Sequence, residues 1–112
     1  MVKINSFRFG SLTINNKAYD TDMVVSWDGE LIARESSHLF SKDELMDMLV
    51  KGPEIVLIGT GTAECVKIDK DVEDLAQSKN VQIIAKKTAD AVDEFNKAAK
   101  TRKIVAMIHV TC

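Results

Sequence analysis

The first 40 residues alternate between hydrophobic and polar positions, which is the period of a half-buried β-strand. The alternation is clearest over residues 6–14, and Asn15–Asn16 follows with two residues that tolerate the left-handed backbone of a tight hairpin turn. Asp28–Gly29 is a second hairpin signal, with hydrophobic residues on both sides. The polar residues 20–22 should break the pattern between the two hairpins. We therefore predict antiparallel β-structure for this part of the chain.

Three amphipathic helices are predicted in the rest of the chain. The first begins at a capping box formed by Ser41 and Glu44, whose side chains satisfy two backbone N–H groups. Asp69 is expected to cap the second helix, and Asn80 is expected to end it in a left-handed conformation. The third begins at Thr88. Its predicted hydrophobic stripe consists of Ala89, Val92, Phe95 and Ala99.

Three short hydrophobic runs, at residues 55–58, 81–85 and 104–110, predict strands that are covered on both faces. The last run has apolar residues on both faces, so we expect it at the centre of the sheet. Strands that alternate with helices imply an α/β sandwich, with right-handed crossovers between parallel neighbours. No linker or repeat interrupts the sequence, so residues 1–112 should form one domain.

Composition and charge restrict the possible partners. The chain is 46% hydrophobic and 29% charged, as is typical of a globular domain. Its 15 basic and 17 acidic residues give a net charge of −2, which provides no electrostatic attraction to nucleic acid or anionic lipid. There is no apolar run of membrane-spanning length and no signal or transit segment. Only two cysteines are present, so we expect a protein of the reducing cytoplasm, without membrane or nucleic-acid partners.

The loop Gly59–Thr60–Gly61 follows a predicted buried strand, a position at which α/β sheets commonly bind ligands. A dinucleotide fingerprint would need a further glycine where Glu64 stands, so the motif is weak. Two interpretations remain: a tight turn, or a loop whose backbone N–H groups hold a small anion. Lys86, Lys87 and the helix N-terminus at Thr88 would support the anion, if strands 55–58 and 81–85 are parallel. The alternative for the lysines is ordinary solvation.

Asn96 falls on the hydrophobic stripe of the third helix. A buried amide needs hydrogen-bond partners, so Asn96 either ties the helix to a neighbouring segment or faces a polar pocket.

His109 and Cys112 suggest a metal site or a nucleophile pair, but their spacing argues against both. Residues three apart in a strand point to opposite faces. Zinc needs further ligands, and His38 and Cys65, the only other histidine and cysteine, are isolated in the sequence. We therefore expect a buried histidine and a terminal thiol, with no metal and no cofactor. The carboxylates are scattered, so no catalytic residue is predicted.

Several motifs together resemble those of one small α/β family. They are Phe9–Gly10, the 58–61 run, Thr88 with Phe95–Asn96, and the His-Val-Thr-Cys ending. This is the family of uncharacterised archaeal and bacterial proteins related to the adipogenesis-associated domain protein and to mitochondrial complex I assembly factor three. The resemblance implies a three-layer fold, with a mixed central sheet, helices on one side and a β-hairpin layer plus helix on the other. It implies no enzymatic activity or cofactor. The positions that match the family pattern are Gly59, Thr60, Gly61, Thr88, Asn96 and Arg102.

The expected function is that of a non-enzymatic binding or assembly module with an unidentified protein partner. The alternative is a small-anion or metabolite-binding protein, or an unrecognised enzyme, that uses the rim of the 59–61 loop. The first hypothesis predicts an exposed hydrophobic patch on the hairpin layer, with Trp27, Leu31 or Phe40 as candidates. The second predicts a concave pocket between the loop, the two lysines and Asn96.

Overall fold

The computed structural model describes residues 1–112, which form ten strands and three helices. The strands are β1 (Ile4–Arg8), β2 (Ser11–Ile14), β3 (Lys17–Tyr19), β4 (Asp22–Ser26), β5 (Leu31–Arg34), β6 (Leu39–Phe40), β7 (Ile55–Gly59), β8 (Lys67–Ile68), β9 (Gln82–Lys86) and β10 (Ile104–Ile108). The helices are α1 (Lys42–Leu49), α2 (Asp71–Ser78) and α3 (Thr88–Ala98). No helix has both the length and the apolar character needed to cross a membrane.

The central sheet is mixed, and its strands follow the order β5-β4-β10-β7-β9. β10 pairs antiparallel with β4 and parallel with β7, and β7 is also parallel to β9. Every residue of β10 is buried, which confirms the predicted central position of this strand. The parallel arrangement of β7 and β9 is confirmed as well. The prediction that residues 81–85 are covered on both faces is wrong, because β9 is an edge strand with Gln82 and Ala85 exposed.

Two further layers cover the central sheet. The antiparallel sheet β1-β2-β3 and α3 pack on one face, around a core that includes Ile14, Val25 and Phe95. Helices α1 and α2 and the short parallel pair β6-β8 pack on the other face, around Phe40, Leu45 and other apolar residues. The three-layer arrangement with helices on one side and a β-hairpin layer plus helix on the other is therefore confirmed.

The local turn signals specify the structure as expected. Asn15 and Asn16 have φ angles of 49° and 67°, so the β2–β3 hairpin uses the left-handed region at both positions. Gly29 turns the β4–β5 hairpin with φ 96°. The capping box at Ser41 is present, and Asn80 adopts φ 58° after α2.

Two details of the helices differ from expectation. The N-cap of α2 is Lys70, one residue after the predicted Asp69, and the Asp69 carboxylate accepts a 3.4 Å hydrogen bond from the Asp71 N–H. The buried residues of α3 are Thr88, Ala91, Val92 and Phe95. Ala89 is exposed, because the buried stripe begins one residue earlier, at Thr88.

Candidate functional site

The glycine loop at residues 59–61 is closed by hydrogen bonds within the protein. The Thr60 N–H donates to the Lys86 carbonyl at 2.9 Å, and the Gly61 N–H donates to Thr88 Oγ1 at 2.8 Å. The Thr88 N–H donates to the Gly61 carbonyl at 3.3 Å, and its hydroxyl donates to the His109 carbonyl at 2.7 Å. These N–H groups therefore do not form the unpaired donor surface on which the anion hypothesis depends.

Both glycines allow close packing of the loop. A Cβ at Gly59 would lie 3.2 Å from Thr88 Oγ1. A Cβ at Gly61, where φ is +103°, would lie only 2.2 Å from the backbone carbonyl carbon of Cys112. The absence of side chains at these positions thus lets the loop contact α3 and the end of the chain directly.

The two lysines beside the loop lie in a strongly mixed electrostatic environment. Lys86 Nζ lies 2.9 Å from Glu94 Oε1, and Lys87 is the N-cap residue of α3. They line a surface cavity of about 500 Å³ together with one further lysine and four carboxylates, whereas Thr60 and Asn96 do not contribute to it. This charge balance does not favour an anion over a cation.

Asn96 and Arg102 lie away from this loop. The Asn96 amide oxygen accepts from the Ile4 N–H at 2.9 Å, and its NH₂ donates to the Ile4 carbonyl at 2.8 Å. Asn96 therefore ties α3 to β1, which confirms the structural interpretation. Arg102 precedes β10 and lies 3.4 Å from Glu54 Oε1, at the end of the sheet opposite to the loop. The structure thus brings together residues 59–61 and 86–88, but neither Asn96 nor Arg102.

An open groove of about 970 Å³ runs between the edge strand β5 and helix α1. Its floor is the sheet face formed by Val24, Ser26, Val105 and Met107. Three large hydrophobic side chains on its margin are exposed to solvent: Ile32 (51%), Leu39 (47%) and Val50 (86%). The rest of the lining is mostly polar and includes three serines, carboxylates such as Glu35 and Asp47, and two cations that are buried or paired.

The hydrophobic patch predicted on the hairpin layer is not formed by the expected residues, and the exposed hydrophobic side chains lie around this groove instead. Phe40 is fully buried, and Trp27 and Leu31 are half-buried against the core. Leu31 pairs with Val25, so it points to the α3 side of the sheet, whereas Ile32 points into the groove. A shift of one residue along a strand reverses the face, and the turn at Asp28–Gly29 sets that register.

A buried polar network lies at the end of the groove. Arg34 is 7% exposed, and its guanidinium donates to the Asp22 carboxylate at 2.6 Å and to Glu44 through Nε. It also donates to the carbonyls of Ser37 and Leu39. Burial lowers the pKa of Arg34, but the hydrogen bonds and charges of Glu44 and Asp22 outweigh this effect and raise it above its ordinary value.

His109 continues this network. It is fully buried, as expected, and its Nδ1 lies 2.8 Å from Asp22 Oδ2. The second Asp22 oxygen accepts from the Val110 N–H at 3.0 Å. In the sequence, Asp22 stands in a polar break and Glu44 in a helix-capping motif, so neither residue by itself predicts a buried ion pair. A carboxylate beside the hydrophobic run 23–25 was the available signal, but its partners lie up to 88 residues away.

Histidine and cysteine side chains gather beside His109. β10 ends at Ile108, so the chain no longer alternates between faces, and the expectation that His109 and Cys112 point apart is wrong. His38 Nε2 lies 3.2 Å from Cys112 Sγ, and the His38 and His109 rings pack edge to face with centroids 5.3 Å apart. Cys65 is also close to Cys112, because its backbone N–H donates to the Cys112 carbonyl at 3.0 Å. Interaction with the Cys112 side chain, followed by burial, raises the pKa of Cys65. Neither His38 nor Cys65 is isolated in space.

These features define a three-layer α/β protein with a closed glycine loop, an open groove and a buried ionic network. The chain belongs to the family described as "Protein of unknown function (DUF498/DUF598)", which it matches over residues 4–109. The predicted membership in a small α/β family of uncharacterised proteins is therefore confirmed.

Solved structures show the same fold. A conserved hypothetical protein from Pyrococcus horikoshii OT3 is similar over 98% of this chain and 99% of its own, with 28% identity and a TM-score of 0.89. The structure titled MT938 matches over 100% of both chains at 26% identity, with a TM-score of 0.84. An Mth938-like domain from Bordetella pertussis is similar over 96% of this chain and 85% of its own, with 15% identity and a TM-score of 0.66. This similarity supports the fold alone.

Proposed function

We propose that this protein is a non-enzymatic binding module that takes up an extended segment of a partner protein in the groove between β5 and α1. The observation that carries the proposal is the exposure of Ile32, Leu39 and Val50 around one concavity. Scattered apolar side chains are normal on a protein surface, but several around one groove are typical of an interaction site.

The edge of the sheet supports an extended partner. β5 is a terminal strand, so its outer edge has no strand partner in the central sheet. Proteins commonly protect such an edge with proline, lysine or a bulge. β5 has the sequence Leu-Ile-Ala-Arg, without proline or lysine, and the charge of its Arg34 is neutralised by Asp22 and Glu44. Addition of a strand here would supply main-chain hydrogen bonds, while the groove would receive every second side chain.

The charge of the groove favours a basic segment. Arg34 is neutralised by Asp22 and Glu44, and Lys51 is bound by Asp28 and Glu30. Glu35 and Asp47 remain on the lining without a salt-bridge partner. We therefore propose a partner segment that alternates hydrophobic and basic residues. The finer form of this proposal is an assembly role, in which the protein holds such a segment temporarily, and the assembly-factor branch of the family that the sequence resembles is its support.

Titration with two matched peptides tests the proposal. One six-residue peptide alternates valine and lysine, and the other has glutamate in place of each lysine. We expect saturable shifts of the β5 amide resonances with the lysine peptide only. The variant Ile32→Ser should weaken binding at least about tenfold, whereas Phe9→Ser, which changes a 66% exposed phenylalanine elsewhere, should leave it unchanged. Equal binding of both peptides, or an unaffected Ile32→Ser variant, would contradict the proposal.

A further inference from the structure

Three potential metal ligands meet beside the end of β10. His38 comes from the segment between β5 and β6, and His109 and Cys112 follow β10. Their ligating atoms all lie within 4.8 Å of one another, and His38 Nε2 is 3.2 Å from Cys112 Sγ. In a tetrahedral zinc site with bonds of about 2.0–2.3 Å, ligand atoms are roughly 3.3–3.8 Å apart. We propose that His38, His109 and Cys112 form a site for a borderline-soft divalent cation such as Zn²⁺.

The buried network orients His109 for this role. Its Nδ1 faces the Asp22 carboxylate, which can only accept, so the ring proton lies on Nδ1 and Nε2 carries the lone pair that can bind a cation. Asp22 is in turn held by Arg34 at 2.6 Å. A carboxylate behind a ligating imidazole is the usual support of protein metal sites, since it fixes the ring and increases its basicity. The hydroxyl of Thr111 lies 3.1 Å from Nε2 and has to turn away when Nε2 binds a cation.

The donor set selects the class of cation. Two imidazoles and a thiolate suit Zn²⁺ and similar transition metals, whereas Mg²⁺ and Ca²⁺ require oxygen ligands. His38 is exposed and Cys112 is half-buried, so a cation can reach the site from solvent. Three protein ligands leave a fourth position open for water or an added ligand. This site lies beyond the groove lining and does not depend on the proposed peptide-binding function.

Titration of tag-free, reduced protein with Co²⁺ tests the site, because cobalt is a spectroscopic substitute for zinc. We expect one equivalent to give a tetrahedral spectrum with thiolate charge-transfer absorption, which Zn²⁺ abolishes in competition. Zn²⁺ should also protect Cys112 from alkylation. His38→Ala and Cys112→Ser should each weaken binding at least about 100-fold. His38 is exposed, so the first variant keeps the fold.

Two control variants make the result specific. Ser36→Ala changes an exposed neighbour of His38, and Cys65→Ser changes the nearby thiol, and both should alter the affinity less than threefold. An octahedral cobalt spectrum without thiolate absorption would overturn the site. So would unchanged binding in folded His38→Ala, or a requirement for Cys65 rather than for His38.

Discussion

The glycine loop and the groove between β5 and α1 differ in how many of their hydrogen-bonding and hydrophobic groups already have partners within the protein. In the loop, the N–H groups of Thr60, Gly61 and Thr88 all donate within the protein. In the groove, large hydrophobic side chains stay exposed, and the outer edge of β5 has no strand partner in the sheet. A glycine motif thus marks a place where the backbone packs closely. The groups that are free to bind a partner, hydrophobic side chains and the edge of β5, lie where the outer layers leave the central sheet uncovered.

The largest expected effect concerns the buried ionic network of Arg34, Asp22 and His109 at the end of the groove. Asp22→Ala removes the carboxylate shared by Arg34 and His109 and leaves both buried without it. We expect a loss of about 3–5 kcal/mol in the free energy of unfolding, measured with urea. Asp20→Ala, which changes an exposed aspartate in the same segment, is the control and should change little. A small effect of Asp22→Ala would mean that the network contributes no more than a surface ion pair.

Local sequence could predict only those parts of the structure that depend on neighbouring residues. Hairpins, the α1 cap and the central strand depend on neighbouring residues or on local periodicity, and these predictions are confirmed. The groove depends on how far α1 covers the sheet, which no local pattern specifies. The contact of His38 with Cys112 joins residues 74 positions apart, and it requires the chain to leave strand geometry after Ile108. Periodicity therefore predicted the layers, but not which polar groups meet between them.

The second-largest expected effect concerns the contribution of the closed glycine loop to stability. The Thr88 hydroxyl accepts from the Gly61 N–H and donates to the His109 carbonyl. Thr88→Val keeps the shape but leaves two buried groups without a partner, so we expect a loss of about 1–3 kcal/mol in urea denaturation. Thr62→Val, at an exposed position of the same loop, provides the matched comparison. Equal stability of the two variants would show that the closed loop is not needed for the fold.

A smaller effect is expected on the margin of the groove. Val50 is 86% exposed, so Val50→Ala should change the free energy of unfolding by less than about 0.5 kcal/mol. Val25→Ala, which makes the same change at a fully buried position, should cost about 2 kcal/mol. If Val50→Ala and Val25→Ala lost similar amounts of stability, Val50 would have to be buried in solution. The groove would then be closed, and the contrast with the loop would not hold.

The anion hypothesis for the loop has a direct test in phosphate titration followed by amide NMR. Because the N–H groups of Thr60, Gly61 and Thr88 are already hydrogen-bonded, we expect no saturable shift of their resonances. The Lys87→Ala variant should likewise show no saturable shift of these resonances when phosphate is added. Saturable shifts at Gly61 and Thr88 that weaken in Lys87→Ala would instead establish the loop as an anion site and reverse the comparison.

The smallest effect concerns the ion pairs at the open end of the groove. Lys51 Nζ lies 2.7 Å from Asp28 Oδ2, and this hydrogen bond lowers the pKa of Asp28 and raises the pKa of Lys51. A lowered carboxyl pKa contributes stability above the unfolded value of 3.8, and that contribution is lost as the pH falls through the folded pKa. The raised lysine pKa contributes below 10.5 and is lost as the pH rises through its folded value.

In Lys51→Met, NMR titration should therefore show the pKa of Asp28 returning upward, whereas Lys70→Met should leave it unchanged. The unfolding midpoints of Lys51→Met and wild type should differ slightly at neutral pH and converge in acid, below the folded pKa of Asp28. The same substitution releases Glu30 on the groove lining, so the lysine-containing peptide should bind slightly tighter. If the peptide binds no tighter although the pKa of Asp28 rises, the charge of the groove does not select its partner. The exposed hydrophobic side chains and the free edge of β5 would then have to account for binding alone.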